Sequence, residues 1–183
     1  MKPRLALPLL RTPKRMRIIQ PFGAQVFDVN HDAYAQFWTD GHNGIDFEAD
    51  EGELVVAVDD GEVMEVRFDP VGYGVTVKLS HPWGESRYAH GQRYSVPIDF
   101  RLGHIVRRGE RIFLAGSTGN CHGVTHLHFG LRVRGDDGAM DYTQFNGFWG
   151  YDDPLPCLRE ALGLPEAVAA PVAGKSKKGG ASK

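Results

Sequence analysis

Nine residues constrain the fold more than any other stretch: Thr125 to Val133, T-H-L-H-F-G-L-R-V, alternate polar and apolar side chains with a period of two. That period belongs to a β-strand with one face on a core. Leu127, Phe129, Leu131 and Val133 form its packing face, and His126, His128, Gly130 and Arg132 share the other. Two imidazoles about 7 Å apart then stand beside a glycine that leaves open space. A lone His-x-His signifies only the polar face of a half-exposed strand, so partners elsewhere must decide whether it is a site.

The neighbouring sequence supplies a β setting. Met16 to Gln20, Leu54 to Val58, Glu62 to Phe68, Gly74 to Leu79, Ser86 to His90 and Arg111 to Ala115 are short strand-like runs. Glycine turns such as Asp59-Asp60-Gly61 and Trp83-Gly84 separate several of them, which is the pattern of an antiparallel meander. Residues 24–41 lack periodicity but hold Phe27, Tyr34, Phe37 and Trp38, consistent with a packed connection or with one wall of a groove. Residues 91–110 form a second long connection, and Pro154 to Leu162 is expected to be a short helix. The expected fold is mainly β: a single domain built on an antiparallel β-sheet or β-sandwich, long loops forming a groove, and one short C-terminal helix.

Charge is unevenly distributed. Six Lys or Arg fall in the first 17 residues, and four fall in residues 165–183 against Glu166 alone. The 11 bases and 22 acids between them leave the body near −11, which argues against a nucleic-acid-binding core. No apolar run approaches the roughly 20 residues of a membrane helix. The opening apolar stretch is six residues long, contains Pro8 and is followed by more basic residues, so no convincing signal peptide is read. Expected boundaries are a basic N-terminal extension over residues 1–16, the folded domain over 17–163 and a disordered basic tail over 164–183. Cys121 and Cys157 are too few for a disulfide framework and read as free thiols.

Metal-ligating residue types cluster in three motifs: His42 and Asp46 in H-N-G-I-D, His90 in Y-A-H, and His126 with His128 in H-L-H. A catalytic zinc takes three protein nitrogen or oxygen ligands and keeps a fourth position for water. Two histidines and one carboxylate meet that need and leave a net +1 on the centre, which helps bring a bound water's pKa down toward roughly 7. The surplus histidines can accept the water's proton and steady an oxyanion. A closed structural site, which uses four ligands and often cysteines, has no use for such a surplus. His122 and His126 have the i, i+4 spacing of helical zinc proteases, but Gly123, Val124 and Thr125 are poor helix formers and no Glu follows His122. His31, His81 and His104 lack a partner pattern and read as surface or structural; His122 is a groove-lining candidate.

G-H-N-G-I-D-F, A-V-D-D-G-E-V, Y-G-V-T-V-K-L-S-H, R-Y-A-H, G-S-T-G-N, H-L-H-F and Asp153-Pro154 together resemble the lysostaphin-type, LytM-like zinc metalloendopeptidases, from about Gln20 to Pro154. The resemblance implies that His42, Asp46 and His128 bind one Zn2+ per chain. It implies His90 and His126 as general base and transition-state stabilisers. The implied reaction is hydrolysis, by zinc-activated water, of peptide stems or crosslinks of bacterial peptidoglycan. Gly91 stands where the family usually has Leu, and Cys121 where a small hydroxyl residue is common; neither removes a ligand or catalytic group.

Two other classes compete. A non-catalytic wall-binding or amidase-activating module, as in relatives that have lost zinc ligands, does not account for retention of all five residues. A metal-free histidine phosphocarrier does not need Asp46 beside His42. The expected partners are peptidoglycan peptides, with no nucleic acid and no integral membrane association, and the expected state is a monomer. The expected place of action is the cell wall, reached as a phage-encoded lysin, on a virion, or by another export route.

Overall fold

The computed structural model describes residues 3–25, 27–28, 31–32, 34, 39–140, 142 and 146–165. In chain order its strands are β1 (Ile18–Gln20), β2 (Phe27–Asp28), β3 (His31–Asp32), β4 (Ile45–Glu48), β5 (Leu54–Val56) and β6 (Gly61–Asp69). Then follow β7 (Gly74–His81), β8 (Gly84–Gly91), β9 (Ile105–Val106), β10 (Arg111–Leu114), β11 (His126–Val133) and one helix, α1 (Leu155–Leu158). Seven strands make one antiparallel sheet in the order β1-β4-β11-β8-β7-β6-β9; β10 pairs with β5, and β2 with β3. The mainly β architecture expected from the alternation is the one observed. The six strand-like runs all form strands, with ends shifted by a residue or two.

Four short strands have no signal of their own in the sequence, and two of them, β2 and β3, lie inside the connection 24–41. β4 lies inside the H-N-G-I-D-F motif, and β9 inside the connection 91–110. The helix is shorter than the expected Pro154 to Leu162. Turn-type bonds such as Leu162 N–H to Leu158 C=O carry the chain on, and Gly163, at φ +65°, ends it. The disordered tail expected over 164–183 falls almost wholly outside the described residues, as do Phe37 and Trp38.

β11 divides its side chains as its period requires. Leu127, Phe129 and Leu131 are fully buried, and with Ile45, Phe47, Val77, Leu79 and Tyr88 they belong to one apolar cluster that also takes in Val55, Ile112, Phe113 and Leu158. Each such side chain contributes about 1.5–3 kcal/mol on burial. The histidine face is also buried: His126 and His128 are 7% and 3% exposed. One expectation fails here. The space beside Gly130 is not open, since the Tyr151 ring lies 3.0 Å from where a Cβ would be.

The basic N-terminal stretch is stitched to the body. Leu5 and Leu9 are 2% and 1% exposed. Leu5 N–H donates to Cys157 C=O at 3.0 Å, Ala6 N–H to Val58 C=O at 2.9 Å, and Val56 N–H to Pro8 C=O at 2.9 Å. Arg11 forks onto both carboxylate oxygens of Glu53 through Nε and Nη2. The short apolar run in the leader is therefore core material. Leu9→Ala is expected to cost about 2–4 kcal/mol of unfolding free energy in urea titration with an unchanged slope, the cost of a cavity under a fully buried leucine. A loss under 0.5 kcal/mol, about what a surface change gives, would show the strap to be dispensable.

Candidate metal centre

The register of the central strands assembles the site. β11 pairs with β4 so that His128 stands directly opposite Asp46, and with β8 so that His128 stands opposite Ala89. Cross-strand partners share a face, which puts the Asp46 carboxylate beside the His128 ring. His42 arrives from the loop that enters β4. Gly44 makes that loop possible: a Cβ there would lie 2.6 Å from Phe129 O and 2.7 Å from the His128 ring.

Three ligand atoms converge. His42 Nε2 lies 3.1 Å from Asp46 Oδ1, His128 Nδ1 lies 3.1 Å from the same oxygen, and the two ring nitrogens are 2.9 Å apart. Among the described residues this is the one group of His, Cys, Asp or Glu close enough to hold a metal ion, and all three are buried. His42 Nδ1 sits 3.1 Å from Pro21 C=O. A carbonyl only accepts, so Nδ1 carries the proton and Nε2 presents a lone pair inward. A neutral His128 has a single ring proton. On Nδ1 it serves one of two neighbours; on Nε2 it leaves three acceptors facing one another, and Nε2 itself is buried without a partner.

The donor set therefore fits a cation. Zinc ligands about 2.0–2.1 Å from the ion in a tetrahedral arrangement stand roughly 3.3 Å from each other, close to the triangle present. Protonation states agree. Burial works against ionisation of Asp46, but hydrogen bonds and charge from His128 and His42 outweigh it and hold the carboxyl well below the usual range. Burial also pushes the His128 imidazole down, only partly opposed by Asp46. An ionised carboxylate and neutral imidazoles are the forms that ligate metal.

His90 and His126 join this cluster by different routes. His126 gets there by alternation, two residues before His128. His90 follows Ala89 on β8, so alternation alone would aim it into the core. A β-bulge reverses that: between the pairs Val75↔Gly91 and Val77↔Tyr88, β8 carries one more residue than β7. His90 takes φ +63° there, and its ring lies 4.6 Å from that of His126 and 6.1 Å from that of His128. Its Nδ1–H donates to Thr118 C=O at 2.8 Å, and His126 Nδ1–H donates to Val124 C=O at 2.9 Å. Both Nε2 atoms are thereby left as acceptors; that of His126 is 3.7 Å from Asp46 Oδ2. Burial, reinforced by His126, pushes the His90 imidazole down to about 4.

Other residues support the cluster from around it. Thr118 Oγ1 donates to Gly91 C=O at 2.7 Å and accepts from Val75 N–H at 2.9 Å, tying the G-S-T-G loop to the bulge. The Tyr73 ring lies 5.2 Å from that of His128, and its hydroxyl bonds the Asn43 amide. Tyr34, from the aromatic loop, stands 6.0 Å from the His42 ring. Gly91 has a steric reason, because a Cβ would meet the Phe113 ring at 2.9 Å. His122 is exposed and stays outside the cluster. His81, bonded to Asp60 C=O and the Ser86 hydroxyl, is structural; His104 faces Asp99 and Glu110. Both cysteines are free and buried.

The family model described as peptidase family M23 matches residues 40–141. Peptidoglycan DD-endopeptidase ShyB of Vibrio cholerae is 38% identical over 93 residues, 51% of this chain and 21% of that protein. Murein hydrolase activator NlpD of Escherichia coli is 30% identical over 126 residues, 68% of this chain and 28% of that protein. A crystal structure of a zinc-containing peptidase from Vibrio cholerae superposes with a TM-score of 0.57 at 27% identity, covering 72% of this chain and 37% of that one. The chain thus spans less than a third of the length of either curated relative.

Metal analysis is expected to find one zinc per chain, with a raised melting temperature on loading. In Gly44→Ala the displaced His128 ring should weaken zinc about 10–100-fold in competition with a chelator, the usual cost of disturbing a ligand's support. Unchanged affinity in that variant would mean that His128 is not a ligand.

Proposed function

The chain belongs to peptidase family M23, and we propose that it is a zinc-dependent endopeptidase acting on the peptide stems or crosslinks of bacterial peptidoglycan. One observation carries this reading: the three-atom triangle of His42, Asp46 and His128 has two further histidines beside it, each with Nδ1 tied to a backbone carbonyl and Nε2 left as an acceptor. A site serving structure alone has no need of the extra pair. The relative named a peptidoglycan DD-endopeptidase supports the substrate class.

Zinc held by His42 Nε2, Asp46 Oδ1 and His128 Nδ1 would supply Lewis-acid polarisation of the scissile carbonyl and lower the pKa of a water toward roughly 7. The chain's own groups do the rest. Asp46 contributes the negative charge that retains the ion, and Pro21 C=O keeps the His42 ring in the ligating tautomer. Either His90 Nε2 or His126 Nε2 receives the one proton that the attacking water loses. Once protonated, that imidazole donates to the developing oxyanion or to the departing amine. Because Thr118 C=O and Val124 C=O hold the rings, the pair needs little reorganisation during the reaction.

The similarity to NlpD gives a second reading, a module that activates a separate murein hydrolase. Retention of the complete five-residue set favours catalysis. The site of action proposed is the bacterial cell wall. Among the described residues no helix is long and apolar enough to cross a membrane.

Zinc-loaded protein incubated with purified peptidoglycan should release fragments bearing new peptide amino termini, identified by mass analysis. His90→Ala should slow release about 10²–10⁴-fold while still binding zinc, as expected on losing a proton-transfer group. If no wall type yields new termini with zinc confirmed bound, the endopeptidase reading fails and the activator reading stands.

A further inference from the structure

An alternating stack of rings and guanidinium groups leads away from the metal centre along the face shared by His128, Gly130 and Arg132. The Tyr73 ring is 5.2 Å from that of His128, and the Arg87 guanidinium lies 4.2 Å over the other end of this contact, on Tyr73. The Tyr151 ring comes next, 4.6 Å from Arg87, and Arg132 lies 4.3 Å from Tyr151. Arg132 has a carboxylate, Glu85, at 3.3 Å, and two bonds to Trp149 C=O. Arg87 has neither.

Arg87 is 8% exposed, and its Nε and Nη1 are buried without a hydrogen-bond partner. Among the described residues its third nitrogen, Nη2, has no hydrogen bond or ion pair either, and Nη2 is not among the buried unpartnered atoms, so that nitrogen reaches solvent. The Tyr151 hydroxyl in the same stack is likewise buried and unpartnered. Aromatic faces stabilise a guanidinium by cation–π attraction but leave its N–H groups unsatisfied. Lys78 stands directly opposite Arg87 on β7, a like-charge pairing that is unfavourable on a sheet, and its own partner is Glu65 at 2.8 Å. A buried cation with unused donors, facing a second cation and one ring away from a metal ligand, is costly to keep unless a ligand completes it.

We propose that Arg87 is a carboxylate-binding residue of the substrate groove. It receives a free carboxylate on the peptide next to the scissile bond at Nη2, the guanidinium nitrogen that reaches solvent, and a turn of the guanidinium within the plane set by the two rings brings Nη1 into the fork. Arg87 suits this because a planar fork matches a carboxylate with two parallel bonds. The inference rests on the endopeptidase reading and adds to it a preference for acidic peptides. The flanking rings of Tyr73 and Tyr151 hold the guanidinium in plane, so little side-chain freedom is lost when the carboxylate arrives.

The test uses peptides purified from a peptidoglycan digest, offered with their carboxylates free or converted to carboxamides. Zinc-loaded wild type should cleave the free acid with a kcat/KM about 10- to 100-fold higher, mostly through KM, as befits a charge-assisted pair. Arg87→Gln should reduce that ratio to near one while still cleaving the amide; Arg87→Lys, which keeps charge but not the fork, should retain part of it. Equal cleavage of acid and amide by wild type, or an unchanged preference in Arg87→Gln, overturns the proposal. Should Arg87→Gln fail to fold, the wild-type ratio and the Arg87→Lys variant decide. If wild type cleaves neither peptide, the endopeptidase reading falls separately, and calorimetric binding of the same two peptides decides: tighter binding of the acid to wild type alone upholds the carboxylate site, and equal binding removes it.

Discussion

The structure turns on three proton acceptors held about 3 Å apart in a place where water cannot separate them. His42 Nε2, Asp46 Oδ1 and His128 Nδ1 are each buried, and the available ring protons cannot satisfy all three contacts. Such an arrangement is unfavourable by itself and favourable around a cation. The rest of the fold keeps it from relaxing. Two hydrogen-bonded ladders, β11 with β4 and β11 with β8, lock the strand that carries His128, and the fully buried Leu127, Phe129 and Leu131 anchor that strand from behind.

Support for the neighbouring histidines is equally local and equally specific. One extra residue in β8 turns His90 from the core face to the metal face, and the Thr118 side chain ties down both strands beside the bulge. Gly91 lets Phe113 pack against the bulge, so the departure from the usual family residue there is accommodated by the core. The proton-bearing Nδ1 atoms all face backbone carbonyls, of Pro21, Thr118 and Val124. Carbonyl oxygens belong to the backbone and do not change with side-chain identity. The orientation of each imidazole therefore depends on loop conformation more than on neighbouring residue types.

Beyond the histidines the same face of the sheet carries the stacked Tyr73, Arg87, Tyr151 and Arg132. Here planar contacts hold Arg87, while ion pairs serve its neighbours, Arg132 with Glu85 and Lys78 with Glu65. That leaves positive charge close to the site where a peptide would lie. The N-terminal strap completes the opposite side of the molecule, where Leu5 and Leu9 close the core against the segment around Val58 and Cys157.

The sequence alone was enough for the sheet, for the faces of β11, and for the five residues that come together, because alternation with a period of two and the spacing of His42 and Asp46 are local properties that residue type records directly. It was also enough to reject the helical spacing of His122 and His126; His122 itself, a groove-lining candidate in the sequence, is exposed and stays outside the cluster. Several things were beyond its reach. The bulge that aims His90 depends on how two strands pair, and pairing is set by partners distant in the chain. The open space read beside Gly130 is filled by Tyr151, which arrives from twenty-one residues further on. The leader read as a basic extension buries two leucines against strands and a helix it does not adjoin in sequence. Arg87 falls inside the strand-like run Ser86 to His90, and only its tertiary neighbours leave it without an anionic partner among the described residues. What a residue can do chemically is written in its type and its local period; what it faces is decided by long-range packing, where side chains from separate segments compete for the same space.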